Sequence, residues 1–157
     1  MLKKLMIISL VVLFSLSLMA NSVEAQTNVG GYRVGLQSSY RVRASLGLSL
    51  IYDRDITNSF QGIFSVGSGS QTIEGRYLNR FRLENFWNTY SFVAAGIYNE
   101  SSNTGFLGGG GIGVEYDIQA LEANFPPVSV NADLGVFVTD SFNSFDPRIS
   151  TGFHYRF

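Results

Sequence analysis

From residue 31 onwards, apolar or aromatic side chains occupy every second position over several stretches of the chain. In residues 45–53, for example, Leu46, Leu48, Leu50 and Tyr52 alternate with small or polar residues. Alternation with a period of two is typical of β-strands, because successive side chains of a strand point to opposite faces. The pattern therefore predicts an all-β protein.

Eight segments show this alternation, and segments rich in Gly, Ser, Asn, Asp and Pro separate them. We predict strands over residues 31–37, 45–53, 60–66, 71–83, 89–98, 110–119, 128–139 and 148–157. The fifth segment is apolar on both faces, so its orientation stays open, as does that of the third. Eight short-looped strands in sequence order predict an antiparallel up-and-down barrel.

The start of the chain has a different pattern. Two lysines precede an apolar run over residues 5–20, and a small-residue sequence, Val-Glu-Ala, ends at Ala25. A membrane-spanning helix needs roughly 20 apolar residues, and this run is shorter. We therefore predict a cleaved signal peptide over residues 1–25 and a single β-barrel domain over residues 26–157.

The polar faces of the predicted strands carry charges of both signs. Because an eight-stranded barrel has an interior just wide enough for side chains to fill, balanced charges there can pair. In a soluble barrel the same side chains would face water, and nothing would require equal numbers of positive and negative charges. The balance favours a transmembrane β-barrel, with its apolar faces toward lipid. We predict a lumen charge network of Arg33, Asp53, Glu74, Arg76, Arg80, Arg82, Glu115, Asp117, Asp133 and Arg156.

Aromatic residues near strand ends agree with a membrane location, because aromatic girdles mark the two interfaces of a bilayer. An aromatic core inside a soluble lipocalin-like barrel that binds an apolar ligand is the alternative. The residues expected in the girdles are Tyr32, Tyr52, Phe60, Tyr90, Tyr98, Tyr116 and Phe157.

Composition excludes several kinds of partner. After residue 25 the chain has no lysine and no cysteine, and its arginines are slightly outnumbered by acidic residues. This balance argues against nucleic acid as a partner. A single histidine without cysteine gives no ligand set for a metal, so we expect neither a metal nor a cofactor.

The end of the chain resembles a known family. Its last nine residues alternate apolar and polar positions and end on an aromatic residue, as does the C-terminal signal of bacterial outer-membrane barrels. In that family this closing strand is recognised by the barrel-assembly machinery. Residues 113–118 and 125–133 are similar to strands six and seven of small opacity-like, eight-stranded barrels common in the Bacteroidetes. Such proteins often have a tryptophan in strand seven, where this chain has Leu134; its single tryptophan is Trp87. The resemblance assigns the assembly signal to Ile149, Thr151, Phe153, Tyr155 and Phe157.

A catalytic site can be sketched around the only histidine, His154, with Ser150 on the same face and Glu115 as the acid. Outer-membrane lipid A deacylases resemble such a design, but their site faces lipid. His154, by contrast, lies on the polar face of its predicted strand, which we expect to point into the lumen. Gly108, Gly110 and Gly113 fit a dinucleotide-binding pattern, yet a strand follows them instead of a phosphate-binding helix. We expect no enzymatic activity.

These observations predict a non-enzymatic outer-membrane barrel with a structural or surface-interaction role. Its expected partners are membrane lipid, lipopolysaccharide and, during insertion, the assembly machinery. A lipid A or phospholipid-modifying enzyme and a soluble lipocalin-like barrel are the alternatives. Phe142 and Phe145, in the last exterior loop, could contact a partner. The oligomeric state and any surface ligand stay open. The exterior loops expected from the strand order are residues 38–43, 67–71, 99–107 and 140–147.

Overall fold

The computed structural model of the chain describes residues 30–40, 44–67, 69–83, 87–100, 103–121, 124–140 and 142–157. The predicted signal peptide lies outside these residues. The strands are β1 (Tyr32–Tyr40), β2 (Ala44–Asp53), β3 (Asn58–Gly67), β4 (Ser70–Leu83), β5 (Trp87–Glu100), β6 (Asn103–Asp117), β7 (Val128–Thr139) and β8 (Phe142–Arg156).

Each strand pairs antiparallel with the next one along the chain, and the first strand pairs with the last. Residues 33–40 of β1 lie opposite residues 149–156 of β8, which closes the sheet into a barrel. A closed barrel leaves no strand edge unpaired, so every strand has two neighbours. The predicted all-β, antiparallel up-and-down barrel of eight strands is confirmed.

The two faces of the barrel wall have opposite polarity. Leu46, Val93 and Ile112 point outward and are each about 60 % exposed, whereas Arg33 and His154 point inward and are fully buried. An apolar outside and a polar inside are the reverse of a soluble barrel and are typical of a transmembrane barrel. Among the described residues, no helix is long and apolar enough to cross a membrane.

The structure settles the orientation of the two strands left open by the sequence. In β3, Phe60 and Phe64 point outward while Gln61 points inward. In β5, Tyr90 and Tyr98 point inward, with exposures of 1 % and 7 %. The prediction that these two tyrosines belong to an interfacial girdle is therefore wrong, because β5 buries its aromatic face inside the barrel.

The buried tyrosines belong to an apolar cluster within the lumen, which fits against glycines of β6. A Cβ atom at Gly111 would lie 2.8 Å from the ring of Phe92, and one at Gly113 would lie 2.5 Å from the hydroxyl of Tyr90. Glycine is therefore needed on the inner face of β6 to leave room for the rings of β5 and, at Gly111, for the backbone carbonyl of Leu134 on β7. The members of the cluster are Leu78, Tyr90, Phe92, Ala94, Tyr98, Leu107 and Phe137.

Several strands are longer than predicted, and the connections at one end of the barrel are correspondingly shorter. β6 begins at Asn103 instead of residue 110 and ends at Asp117 instead of residue 119. β8 begins at Phe142 instead of residue 148. The predicted exterior loops over residues 99–107 and 140–147 are therefore wrong, because most of their residues are strand. The side chains of Phe142 and Phe145 lie outside the described part of the chain.

Candidate functional site

The inward charges form two clusters at different heights in the lumen. The first, the termini-side cluster, consists of Arg33, Arg80, Asp53 and Glu115, near the end that carries both chain termini. Arg33 donates to Glu115 Oε2 at 2.5 Å and to Asp53 Oδ1 at 2.8 Å. Arg80 lies 3.2 Å from Asp53 Oδ1 and 3.6 Å from Glu115 Oε1. Two cations thus share two anions, and the cluster is neutral.

Serine hydroxyls add hydrogen bonds to this cluster, in which Arg33 Nε has no partner among the described residues. Ser59 accepts from Arg80 at 2.6 Å and donates to Asp53 at 2.6 Å. Ser129 accepts from Arg33 at 3.2 Å. Buried charges are tolerated when they are both paired and hydrogen-bonded, and this cluster meets both conditions.

The second cluster, the turn-side cluster, consists of Arg76, Arg148, Glu74 and Asp133. Arg76 contacts Glu74 at 2.5 Å and Asp133 at 3.2 Å, and Arg148 contacts Glu74 at 2.5 Å. It is also neutral.

Each guanidinium of the turn-side cluster also lies over an aromatic ring. Arg76 Cζ is 4.7 Å from the ring centroid of Phe92, and Arg148 Cζ is 3.8 Å from that of Phe137. The negative face of an aromatic ring attracts a cation, most strongly where water is excluded. The rings thus stabilise these two arginines in addition to the carboxylates.

A layer of further polar side chains adjoins the turn-side cluster. Gln61 donates to Ser49 at 2.8 Å and lies 3.4 Å from Gln37 Oε1. His154 Nε2 is 2.9 Å from Ser49 Oγ, and Gln37 donates to Asp133 of the turn-side cluster at 3.5 Å. The layer continues the network along the barrel.

Many of these links cross the lumen between strands that are not neighbours. Arg33 of β1 reaches Glu115 of β6, and Arg148 of β8 reaches Glu74 of β4. His154 of β8 reaches Ser49 of β2. Side chains that join opposite walls occupy the space through which a solute would pass. These links join strands across the lumen and fill its interior.

The residues of the predicted charge network lie on the inner face of the wall, apart from Arg82, whose side chain is outside the described part of the chain. Asp117 and Arg156 form a separate, partly exposed pair at the rim, 3.2 Å apart. Sequence reasoning missed Arg148, which directly follows Pro147 and is the first residue of the predicted last strand. Its parity with Ser150 could have revealed it, because residues two apart in a strand share a face.

The chemistry sketched around His154 finds no supporting geometry. Its ring bonds to Ser49 instead of Ser150, and both the ring and Ser49 are at most 2 % exposed. A substrate would have no access to this pair. Within the described ranges, no group of three or more potential metal ligands converges.

The predicted assembly signal lies along β8. Ile149, Thr151 and Phe153 point outward, and the rings of Tyr155 and Phe157 make an edge contact at 5.4 Å. The backbone N–H of Phe157 donates to the carbonyl of Tyr32 at 3.0 Å, which extends the seam between the first and last strands. The recognition of this segment during assembly stays a prediction.

The β2–β3 turn, at the same end as the termini, is held by one carboxylate. Asp55 accepts hydrogen bonds from the backbone N–H groups of Thr57 and Asn58, at 2.9 and 2.8 Å, and from both of their side chains. These bonds, with those from Asn58 the largest cause, hold the pKa of Asp55 well below its ordinary value. The ionised carboxylate of Asp55 therefore stabilises the turn.

No family model and no curated protein matches the chain. Solved structures do match it. A barrel from the de novo design of transmembrane β-barrels has a TM-score of 0.59 and 13 % identity, covering 85 % of this chain and 100 % of its own. The N-terminal β-barrel domain of OprF from Pseudomonas aeruginosa has a TM-score of 0.59 and 12 % identity, covering 82 % of this chain and 98 % of its own. At these identities, the likeness shows that the chain has the fold of a small membrane barrel.

Proposed function

We propose that this chain is a non-enzymatic, non-conducting outer-membrane barrel with a structural role. The observation that carries the proposal is the pairing of an apolar outer wall with a lumen crossed by ion pairs. Arg33–Glu115 and Arg148–Glu74 link opposite walls, and Arg33 and Glu115 are at most 3 % exposed. An apolar wall needs a lipid surrounding, and a crossed lumen argues against passage of solutes.

The sequence supports the outer membrane as the location. The N-terminal segment is typical of an exported protein, and the segment that ends at Phe157 resembles the C-terminal signal of outer-membrane barrels. On this proposal the chain is a small opacity-like barrel that meets the assembly machinery on insertion and lipid or lipopolysaccharide afterwards.

A structural role is favoured over a loop-mediated surface role because the turns opposite the termini are short. Only residues 41–43, 68–69, 101–102 and 140–141 separate the strands there. Such turns offer little surface to a partner outside the cell.

The proposal is tested by cell fractionation, followed by electrophoresis of boiled and unboiled samples and by conductance measurements in planar bilayers. We expect the protein in the outer membrane, a shift in mobility on heating and no steady conductance. Recovery in the soluble fraction without a shift would support the lipocalin-like alternative. Steady conductance of the folded protein would contradict an obstructed lumen.

The enzymatic alternative is tested separately, with lipopolysaccharide and phospholipid as substrates for the natural chain and the variant His154→Ala. We expect no product from either protein, because His154 is enclosed. Product formed by the natural chain and abolished in a folded His154→Ala variant would overturn the non-enzymatic proposal.

A further inference from the structure

The outer wall has a groove where large side chains are missing. Gly62 of β3, Gly75 of β4, Ala95 of β5 and Gly108 of β6 are directly paired across four neighbouring strands, and all point outward. Leu50 of β2 continues the row beside Gly62. The part of the groove that extends from Leu50 to Ala95 has a volume of about 550 Å³, within the range of small-molecule pockets.

No contact within the protein requires glycine at Gly62 or Gly75. A Cβ atom at Gly62 would meet nothing within 4 Å, and the nearest atom to one at Gly75 would be 3.8 Å away. Neither residue has a positive φ angle. Glycine weakens a strand because it has no side chain to pack and loses more backbone freedom on folding. The absence of side chains here therefore shapes the outer surface.

One end of the groove is lined by aromatic rings. Tyr52, Phe60 and Tyr77 lie directly opposite one another on β2, β3 and β4, two residues from the groove floor toward the termini. The rings of Phe60 and Tyr77 are 5.5 Å apart. Tyr77 donates to Asn58 Oδ1 at 2.5 Å, so this rim is where the apolar wall becomes polar. Such a rim marks the membrane interface.

A cation lies just beyond the rim. On β2, Leu50 in the groove and Tyr52 at the rim point outward, and Arg54, directly after the end of the strand, is exposed. At about 3.3 Å per residue, the Cα of Arg54 lies roughly 7 Å beyond that of Tyr52. The backbone N–H of Arg54 donates to the carbonyl of Asn58 at 3.0 Å, which fixes the residue in the turn.

The geometry points to a binding site for one anionic phospholipid of the leaflet at the termini-side end. We propose that an acyl chain lies in the groove, that the rim rings flank its glycerol region and that Arg54 binds its phosphate. The order of apolar groove, aromatic rim and cation matches the order of tail, interface and phosphate in a phospholipid. This inference rests on the membrane location proposed above.

The experiment is native mass spectrometry of the full mature chain, released from nanodiscs that contain phosphatidylglycerol and phosphatidylcholine. The natural chain should retain one phosphatidylglycerol. Ala95→Leu fills the groove and should lower retention by roughly tenfold, because several methylene contacts are lost. Ala132→Leu is the matched control: Ala132 also points outward, on β7, away from the groove. It should leave retention unchanged.

Arg54→Gln should remove the preference for phosphatidylglycerol over phosphatidylcholine, and Arg54→Lys should keep it. Equal retention by the natural chain, Ala95→Leu and Ala132→Leu would overturn the site. A dimer that Ala95→Leu dissociates would also overturn it, because the groove would then be a contact between two chains. Heat-modifiable mobility of each variant is measured in parallel; its loss in the natural chain would count against the barrel's membrane location and not against the groove.

Discussion

Replacing Glu115 by Gln tests whether the lumen charges act as paired clusters. Glu115 accepts from Arg33 at 2.5 Å and lies 3.6 Å from Arg80, and its side chain is 3 % exposed. The substitution keeps the size of the side chain but leaves two arginines with Asp53 as their only carboxylate in the cluster. The cluster then has one buried positive charge that no carboxylate balances.

The expected loss in free energy of unfolding follows from this geometry. Removing one partner of a buried ion pair costs about 3–5 kcal/mol, because the other charge stays desolvated. The amide of Gln can still accept one hydrogen bond, so we expect about 3 kcal/mol. Asp117→Asn is the matched control, two residues along the same face. Its pair with Arg156 is 28 % and 20 % exposed, so its loss should cost less than about 1 kcal/mol.

Both variants are unfolded with urea in lipid vesicles, and the fluorescence of Trp87, the only tryptophan, reports the transition. The midpoint should fall strongly for Glu115→Gln and little for Asp117→Asn, with an unchanged slope. Equal losses, within about 0.5 kcal/mol, would refute the reasoning, since buried and rim pairs would then contribute alike.

Two further predictions concern packing and pH. Gly111→Ala would place a Cβ 2.6 Å from the Gly135 Cα and 2.8 Å from the ring of Phe92, and should lower the free energy of unfolding by about 1–3 kcal/mol. Gly108→Ala, whose nearest neighbour would be 3.9 Å away, should not, and urea unfolding of both variants checks this difference. For Asp55, the lowered pKa means that its contribution to stability is fully present above the ordinary value of 3.8 and is lost as the pH falls through the lower, folded value. An NMR titration of its carboxyl carbon should therefore have a midpoint below 3.8, and a midpoint at or above that value would contradict the hydrogen bonding of the turn.

The sequence predicted the barrel because its outward residues alternate with polar ones in almost every strand. Alternation does not reveal a strand where both faces carry only glycine. Residues 108–111 are all glycine and give no alternation, so the start of β6 was placed at residue 110 and not at Asn103. The beginning of β8 was missed because Pro147 and the polar residues before it are typical of turns.

Strand parity indicates which face most of these charges share, although it missed Arg148, and it does not indicate which charges pair. Parity places Arg33 and Glu115 on the inner face, but 82 positions separate them in the chain, and their contact depends on how the closed barrel brings β1 and β6 together. The inward position of Tyr90 was equally hidden, since it depends on the space left by Gly113 on the paired strand. A strand with two apolar faces takes its orientation from its neighbours.

Glycine therefore has two different roles in the wall of this barrel. Inside, Gly111 is required by the backbone of β7 at Leu134 and Gly135 together with the ring of Phe92, and Gly113 by the ring of Tyr90, so their substitution should destabilise the fold. Outside, a Cβ atom at Gly62 or Gly75 would have no side chain within 4 Å, so filling the space there should change only what the wall can bind. A loss of lipid retention without a loss of stability would thus separate the second role from the first, because the two faces meet different surroundings.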